Sequence, residues 1–196
     1  METKFNLKYK KILEILADVG DCAQNRLILV GGTALALFYL KHRVSIDLDF
    51  IPIKMDEIKA KEEMKGCLTK KGYKTTVGRF KNQFILQFED TSIKIEIFST
   101  EYKIKKIENR EIGNSTILVA SIEDLLELKK LSYLDRKEAR DLYDISFILK
   151  EKKSDFELIK RLIKTAGMPE NIHEMEKMIE NQDNLNFFME VLKNAS

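Results

Sequence analysis

Two aspartates, Asp47 and Asp49, are the residues of this sequence best suited to chemistry. They stand at i, i+2 in the segment Arg43-Val-Ser45-Ile-Asp47-Leu-Asp49-Phe50. On a β-strand, side chains at that spacing point to the same face, so both carboxylates can bind the same metal ions. Glu96 lies in a later segment in which isoleucines alternate with polar residues, so it projects from a second predicted strand whose opposite face is aliphatic.

The three carboxylates of Asp47, Asp49 and Glu96 predict a magnesium site if their two strands are neighbours. Gathered in one place, they would repel one another and lose hydration, so they would need cations to compensate them. Mg²⁺ suits a site of oxygen ligands that also uses substrate phosphates. Two such ions, about 3.5–4 Å apart, clamp the attacking and leaving oxygens of a phosphoryl or nucleotidyl transfer.

A glycine pair precedes this segment, in Gly31-Gly32-Thr33. Glycine lets a backbone approach phosphate oxygens because it has no Cβ. The Thr33 hydroxyl and the first amides of the following helix can donate hydrogen bonds to those oxygens. We therefore expect a triphosphate-binding turn here, with Thr33 as the cap of a helix over 34–41.

A second cluster of charged residues lies in the C-terminal half. Asp141 and Asp144 share a helix face at i, i+3, and Arg140 and Asp144 form an i, i+4 pair. Lys129, from the preceding predicted helix, is the candidate for contacting the triphosphate, with one of the aspartates orienting it.

Other charged residues have simpler interpretations. For Arg136 and Lys130, we expect surface salt bridges. The two histidines, His42 and His173, lie far apart in the sequence and have no evident partners, which argues against a zinc hydrolase and against histidine-based phosphotransfer.

Composition leaves the class of partner open. The 196 residues carry a net charge of +2, so the sequence neither demands nor excludes nucleic acid. Residues 54–81 hold nine Lys or Arg against four Asp or Glu, which is compatible with an anionic partner, although solvated helix faces are the simpler interpretation. No segment resembles a signal peptide or a membrane span, so we expect a cytoplasmic protein with Cys22 and Cys67 reduced.

Hydrophobic periodicity predicts a small mixed sheet with helices, followed by a helical region. Capping boxes at Ser121-x-x-Asp124 and Asp135-x-x-Glu138 divide the first part of that region into two helices. The boundary is placed so that 1–118 form a catalytic domain and 119–196 a helical C-terminal region. The predicted strands are 27–30, 46–51, 73–78, 83–88 and 92–98, and the predicted helices are 5–19, 34–41, 55–71, 122–133, 136–150, 154–166, 169–181 and 184–194.

As a set, these motifs resemble the AbiEii/AbiGii-type nucleotidyltransferases, which include abortive-infection toxins and the MenT toxins, within the polymerase-β-like superfamily. The similar residues run from Gly31 to Ala36 and from Arg43 to Phe50, and continue through Glu96, Asp124 to Lys129 and Arg136 to Ile145. The resemblance implies an α+β, polymerase-β-like fold and magnesium-dependent transfer of a nucleoside monophosphate from NTP.

The resemblance also implies roles for individual residues. Asp47, Asp49 and Glu96 would be the metal ligands, and Glu96 stands where many superfamily members have a shorter aspartate. Lys129 and Asp144, or Asp141 in its place, would match the later lysine and aspartate motifs. The residues implied in nucleotide binding are Gly31, Gly32, Thr33, Arg43, Ser45 and Lys129.

Three functions are compatible with these residues. The leading hypothesis is transfer to RNA, with tRNA favoured by the likeness to the MenT group, by the toxin of a toxin–antitoxin or phage-defence pair that has a cognate antitoxin. The second keeps the chemistry but modifies a protein side chain, as in AMPylation. The third is a regulatory partner that binds nucleotide without turning it over, which the presence of all three acids argues against.

Overall fold

A mixed β-sheet and two sets of helices make up the fold, in a computed structural model that describes residues 4–195. The strands are β1 (Leu27–Val30), β2 (Asp47–Pro52), β3 (Lys74–Val77), β4 (Gln83–Gln87), β5 (Ser92–Ile97), β6 (Ile107–Ile112) and β7 (Ser115–Ala120). The helices are α1 (Lys4–Ala23), α2 (Gly31–Leu35), α3 (Glu57–Lys70), α4 (Ile122–Arg136), α5 (Ala139–Glu151), α6 (Glu157–Ala166), α7 (Ile172–Glu176) and α8 (Gln182–Ala195). A π-helical turn, Ala36–Leu40, follows α2 directly.

The described strands form one sheet in the order β3-β4-β5-β2-β1-β7-β6. The pairs β2–β5 and β1–β7 are parallel, and the other pairs are antiparallel. The interior strand β1, which lies between β2 and β7, is buried along its whole length, as its apolar sequence Leu-Ile-Leu-Val predicts. In β2 and β5, buried apolar residues alternate with half-buried polar ones, so these two strands have one apolar and one polar face.

The chain forms two compact units. The sheet unit comprises the chain up to Ala34 and Ser45–Ser121, and α1 and α3 pack against the sheet within it. The helical unit comprises Leu35–Val44 together with the chain from Ile122 onward. Its core is built on α5, where Tyr143 and Phe147 pack with Phe188 of α8 around a cluster of aliphatic side chains.

Several predicted helix ends differ from those in the structure, and those predictions are wrong. The helix α2 begins at Gly31, so Thr33 lies inside it and is not its cap. The helix α4 continues to Arg136, so Asp135 does not begin the next helix; Glu138 does, as the N-cap of α5, without a side-chain hydrogen bond. The predicted helix over 169–181 is reduced to α7, Ile172–Glu176.

Two strands, β6 and β7, were not expected. They form an antiparallel hairpin around Gly113, whose φ of +59° is a left-handed conformation that favours glycine. The sequence Ile-Glu-Asn-Arg-Glu-Ile of β6 carries too few apolar residues to stand out, and its residues alternate between exposed and half-buried.

The cysteines are not reduced thiols in this structure, and that expectation is wrong. Cys22 of α1 and Cys67 of α3 form a disulfide, with Cα atoms 5.6 Å apart. The bridge joins two helices that pack against each other, although its ends are separated by 45 positions in the sequence. None of the described helices has the length and apolar character needed to cross a membrane.

Candidate active site

The parallel pairing of β2 with β5 gathers the predicted acids on one face of the sheet. Asp47 is opposite Lys94 and Asp49 is opposite Glu96 in the register of the two strands. These four side chains are half-buried, while the residues that alternate with them are fully buried on the other face. The two strands are therefore neighbours, as the predicted convergence requires. We call Asp47, Asp49, Lys94 and Glu96 the acidic face.

Lys94 lies among these carboxylates, on the face of β5 that the alternation predicts for it, but its ion pairs with the acids were not predicted. Its Nζ is 3.4 Å from Asp47 Oδ2 and 3.2 Å from Glu96 Oε2. Partial burial lowers the pKa of Lys94, but the neighbouring carboxylates outweigh burial and raise that pKa above its usual value. The four side chains carry two more negative charges than positive ones. The i, i+2 spacing of Lys94 and Glu96 is the sequence signal that places both on one face.

The carboxylate of Glu96 is held in place by two amide side chains. Gln83, which is opposite Glu96 on β4, donates from Nε2 to Glu96 Oε2 over 2.8 Å. Asn82 donates from Nδ2 to Glu96 Oε1 over 3.3 Å. Neither amide was predicted from the sequence, because their relation to Glu96 depends on the β4–β5 register.

Gly31 turns the backbone against the acidic face. Its φ is +75°, and a Cβ built there would lie 2.6 Å from Asp49 Oδ2. Any other residue would collide with that carboxylate and would strain the backbone. Position 31 therefore requires glycine mainly because the Asp49 carboxylate occupies the space that a Cβ would need. Gly32 is buried in α2, and the predicted approach of both glycines to a triphosphate stays a prediction.

Thr33 and Ser45 join the start of α2 to the start of β2. Thr33 is fully buried; its Oγ1 donates to the carbonyl oxygen of Asp47 and is hydrogen-bonded to Ser45 Oγ, 2.8 Å away. These contacts fix the backbone at Asp47. The predicted contact of both hydroxyls with phosphate has no support in this geometry, because both side chains are buried and directed at each other.

In the helical unit, Asp144 of α5 is surrounded by cationic and hydrogen-bonding side chains. Arg43 donates from Nε and Nη2 to its two oxygens, over 2.7 and 2.8 Å. Lys129 Nζ is 2.7 Å from Oδ2, and His42 Nε2 is 2.7 Å from Oδ1. Asp144 is 0% exposed, so these partners replace its hydration completely.

Asp141, one helical turn before Asp144, has a similar set of partners. Lys129 Nζ donates to its Oδ1 over 2.8 Å, and Arg136 donates from Nε and Nη2 over 2.7 and 2.9 Å. Lys129 therefore joins the two aspartates. We call the following residues the buried ion network, although the Arg136 side chain is 43% exposed: His42, Arg43, Lys129, Arg136, Asp141 and Asp144.

The network keeps both aspartates ionised. Burial alone would raise the pKa of Asp144, but the charges of Arg43 and Lys129 hold that pKa well below its usual value. Burial is likewise outweighed at Asp141, where Lys129 and Arg136 lower the pKa. The network has three permanent cations for two carboxylates.

His42 was predicted to have no partner, and that prediction is wrong. Besides its contact with Asp144, its ring stacks on Tyr143 with centroids 5.4 Å apart. Burial lowers the pKa of His42 below its usual value despite the nearby Asp144, so the ring is neutral near pH 7. The sequence feature that could have indicated a partner for His42 is its position next to Arg43, where the second segment of similarity to the family begins.

Two further expectations for this region are corrected. Asp144 pairs with Arg43 and Lys129, and the predicted i, i+4 pair with Arg140 is not formed, since Arg140 Nε is buried without a hydrogen-bond partner. The exposed Arg136 forms a salt bridge as expected, but its partner, Asp141, is buried and not a surface residue. Lys130 does form the expected surface pair, with Glu127.

The carboxylates of the acidic face are the candidate metal ligands. Among residues 4–195, no three His, Cys, Asp or Glu side chains are arranged as a formed metal site. The acidic face nevertheless fits a hard divalent cation in its chemistry, because its donors are carboxylate oxygens. The Lys94 ammonium shows that a positive charge is accommodated between Asp47 and Glu96.

The sheet, its flanking helices and the helical unit together define a nucleotidyltransferase fold. A candidate nucleotidyltransferase from H. pylori superposes with a TM-score of 0.59 at 17% identity, covering 95% of this chain and 94% of the other. The protein JHP933 from Helicobacter pylori gives a TM-score of 0.56 at 18% identity, covering 96% and 90%. The predicted α+β nucleotidyltransferase fold is confirmed.

The chain belongs to the family described as "Nucleotidyl transferase AbiEii toxin, Type IV TA system", whose sequence profile matches residues 15–185. The chain is thus a nucleotidyltransferase, and the resemblance inferred from its motifs is confirmed. The protein aq_aa25 of Aquifex aeolicus (strain VF5) is 27% identical over 164 residues, which are 82% of this chain and 75% of that protein.

Proposed function

We propose that this nucleotidyltransferase uses Mg²⁺ to transfer a nucleoside monophosphate from NTP to a hydroxyl group of RNA, with tRNA as the favoured acceptor. We propose further that it is the toxin of a toxin–antitoxin or phage-defence pair and is restrained by a cognate antitoxin. The observation that carries the proposal is the β2–β5 pairing, which gathers Asp47, Asp49 and Glu96 on one face.

The acidic face supplies what the transfer needs from the protein. Asp47 and Asp49 would hold the metal ions, and Glu96, held by Gln83, would accept the proton of the attacking hydroxyl. The hydroxyl oxygen bonds to the α-phosphorus of NTP, the bond from that phosphorus to the bridging oxygen breaks, and pyrophosphate leaves. Bound magnesium would neutralise charge on the phosphates during this exchange.

The backbone at Gly31 and Gly32 is the proposed contact for the triphosphate. The role of the later lysine and aspartates also belongs to this proposal. Asp141 and Asp144 both bind the Lys129 ammonium, which supports a role for the aspartates in orienting Lys129. Arg43 would then act through Asp144, because its guanidinium is directed at that carboxylate.

Transfer can be tested with total RNA and total cell protein as acceptors, each α-³²P-labelled NTP in turn, and Mg²⁺. Asp49→Ala is expected to reduce labelling at least about a hundredfold, because a metal ligand is lost. Asp90→Ala, which changes an exposed turn residue of the same sheet unit, is the matched control and is expected to label like the parent. Thermal unfolding of both variants checks that the fold is intact.

The labelled product decides between the proposal and its alternatives. RNA labelled by the parent and by Asp90→Ala, but not by Asp49→Ala, supports it. Label on protein instead would show that the acceptor is a side chain. NTP binding without pyrophosphate release in any mixture would contradict catalysis altogether.

A further inference from the structure

The loop between β3 and β4 exposes an aromatic ring between two cations. Residues 78–82 connect the strands, and Arg79, Phe80 and Lys81 are all exposed, with 56% of Phe80 open to solvent. The Arg79 guanidinium carbon lies 5.4 Å from the centroid of the Phe80 ring. An exposed aromatic ring flanked by cations is the arrangement that binds single-stranded nucleic acid, because bases stack on the ring and phosphates pair with the cations.

The loop is connected to the acidic face through Gln83. The Gln83 side chain is buried, and its Oε1 accepts a hydrogen bond from the backbone N–H of Phe80 over 3.3 Å. Its Nε2 donates to Glu96 Oε2 over 2.8 Å. One amide side chain thus bonds both to the loop and to the carboxylate proposed to accept the proton.

The base of the loop is narrow and held by further contacts. A Cβ at position 78 would lie 2.4 Å from Gln83 Cβ. The two ends of the loop therefore approach more closely at Gly78 than any residue with a side chain would allow. Lys61 of α3 donates from Nζ to the carbonyl oxygen of Lys81 over 3.0 Å. These contacts fix the position of the exposed ring relative to Glu96.

We propose that Arg79, Phe80 and Lys81 form an acceptor platform: Phe80 stacks on a base of a single-stranded RNA segment, and Arg79 and Lys81 pair with the flanking phosphates. The platform rests on the proposed function and deepens it, since it names an unpaired segment as the acceptor. Charge favours RNA as the occupant, because residues 54–81, which supply α3 and this loop, hold nine Lys or Arg against four Asp or Glu.

Binding without NTP tests the platform separately from catalysis. Fluorescence anisotropy is measured with a labelled single-stranded RNA 12-mer and with the same strand in a duplex, in 50 and 200 mM KCl. Phe80→Ala is expected to weaken single-strand binding roughly tenfold to a hundredfold, and Phe80→Trp to keep it within about threefold. Val77→Ala, which removes another exposed apolar side chain of this hairpin, is the matched control and is expected to stay within about twofold.

The contributions of Arg79 and Lys81 are measured by the salt dependence of RNA binding. Arg79→Gln and Lys81→Gln should each reduce the slope of log affinity against log salt by about 0.7, which corresponds to one phosphate contact on a single strand. Affinity for NTP should be unchanged in all these variants, which separates acceptor binding from nucleotide binding.

The outcomes distinguish the platform from the proposed function. Equal binding of single strand and duplex, a loss in Val77→Ala as large as in Phe80→Ala, or no change in Phe80→Ala would overturn the platform. If the parent labels RNA from NTP and Phe80→Ala labels it with an unchanged KM for RNA, the platform is wrong and the proposed function stands. If the parent binds no single-stranded RNA and labels protein instead, both are wrong.

Discussion

The acidic face and the buried ion network are both built from aspartates and lysines, yet they differ in charge balance and exposure. On the acidic face, three half-buried carboxylates share the Lys94 ammonium. In the network, three cations meet two carboxylates that are fully buried. Charged residues of one family motif therefore do not all act alike: the acidic face has net negative charge available to bind a ligand, whereas the carboxylates of the network are already neutralised by its cations.

Replacing an aspartate by asparagine in each region gives the largest expected contrast. Asp144→Asn should lower the free energy of unfolding by about 3–5 kcal/mol, because it leaves the buried Arg43 without a counter-charge and Lys129 with Asp141 alone. Asp47→Asn should change it by less than about 1 kcal/mol, since this side chain is part-exposed and its loss also relieves repulsion. Urea unfolding at pH 7 measures both.

Asp135→Asn, at an exposed position of α4, is the control for these two substitutions. It should leave the free energy of unfolding unchanged, which shows the effect of replacing an aspartate by asparagine outside both regions. Equal losses in Asp144→Asn and Asp47→Asn would mean that the acidic face is as much a part of the folded framework as the network is.

Removing the lysine of the acidic face should increase the affinity of its carboxylates for a divalent cation. Lys94→Met should strengthen Mn²⁺ binding, followed by electron paramagnetic resonance, by roughly tenfold, because the metal no longer displaces an ammonium from among carboxylates. Lys74→Met, on the exposed face of β3, is the control. Weaker Mn²⁺ binding in Lys94→Met would show that the lysine organises the carboxylates and does not compete with the metal.

The smallest expected effect is a pH dependence that belongs to the network alone. The pKa of His42 is lowered by burial, so between 6.5 and its folded-state pKa the unfolded chain binds a proton that the folded chain does not. Stability should therefore fall as the pH drops below 6.5, with a slope of at most about 1.4 kcal/mol per pH unit. The aspartates, whose pKa values are also lowered, add a further loss below about pH 3.8.

Two histidine variants test whether His42 causes the fall in stability below pH 6.5. His42→Gln should flatten the decline between pH 6.5 and 4.5 in urea unfolding, because the titrating group is gone. His173→Gln, at an exposed position of α7, should leave the decline as in the parent. A decline that persists in His42→Gln would have to come from another group.

Local patterns in the sequence predicted much of the sheet, and long-range pairings account for what they missed. The alternation in β2 and β5 identified both strands and the faces of Asp47, Asp49 and Glu96. The same alternation placed Lys94 on the face of Glu96. By contrast, Gln83 reaches Glu96 only through the β4–β5 register, which depends on the length of a turn.

In the helical region, too, local patterns predicted the elements but not the contacts between distant residues. Its helices were expected, since their periodicity is local, but the partners of Asp144 lie 101 and 102 positions away, at Arg43 and His42. The disulfide between Cys22 and Cys67 was missed for the same reason, and composition pointed to the opposite redox state. No spacing rule connects such residues, because their contact follows from how whole elements pack.

The excursion of Leu35–Val44 out of the sheet unit has a practical consequence for anyone dissecting the protein. The polypeptide enters the helical unit, returns, and enters it again after Ser121, so no single cleavage or premature stop yields either unit intact. A fragment starting at Ile122 would carry Asp144 but not Arg43, and would bury a carboxylate stripped of its main counter-ion. Dividing the molecule therefore requires three breaks, after Ala34, Val44 and Ser121, with the excised ten-residue piece supplied alongside the C-terminal fragment.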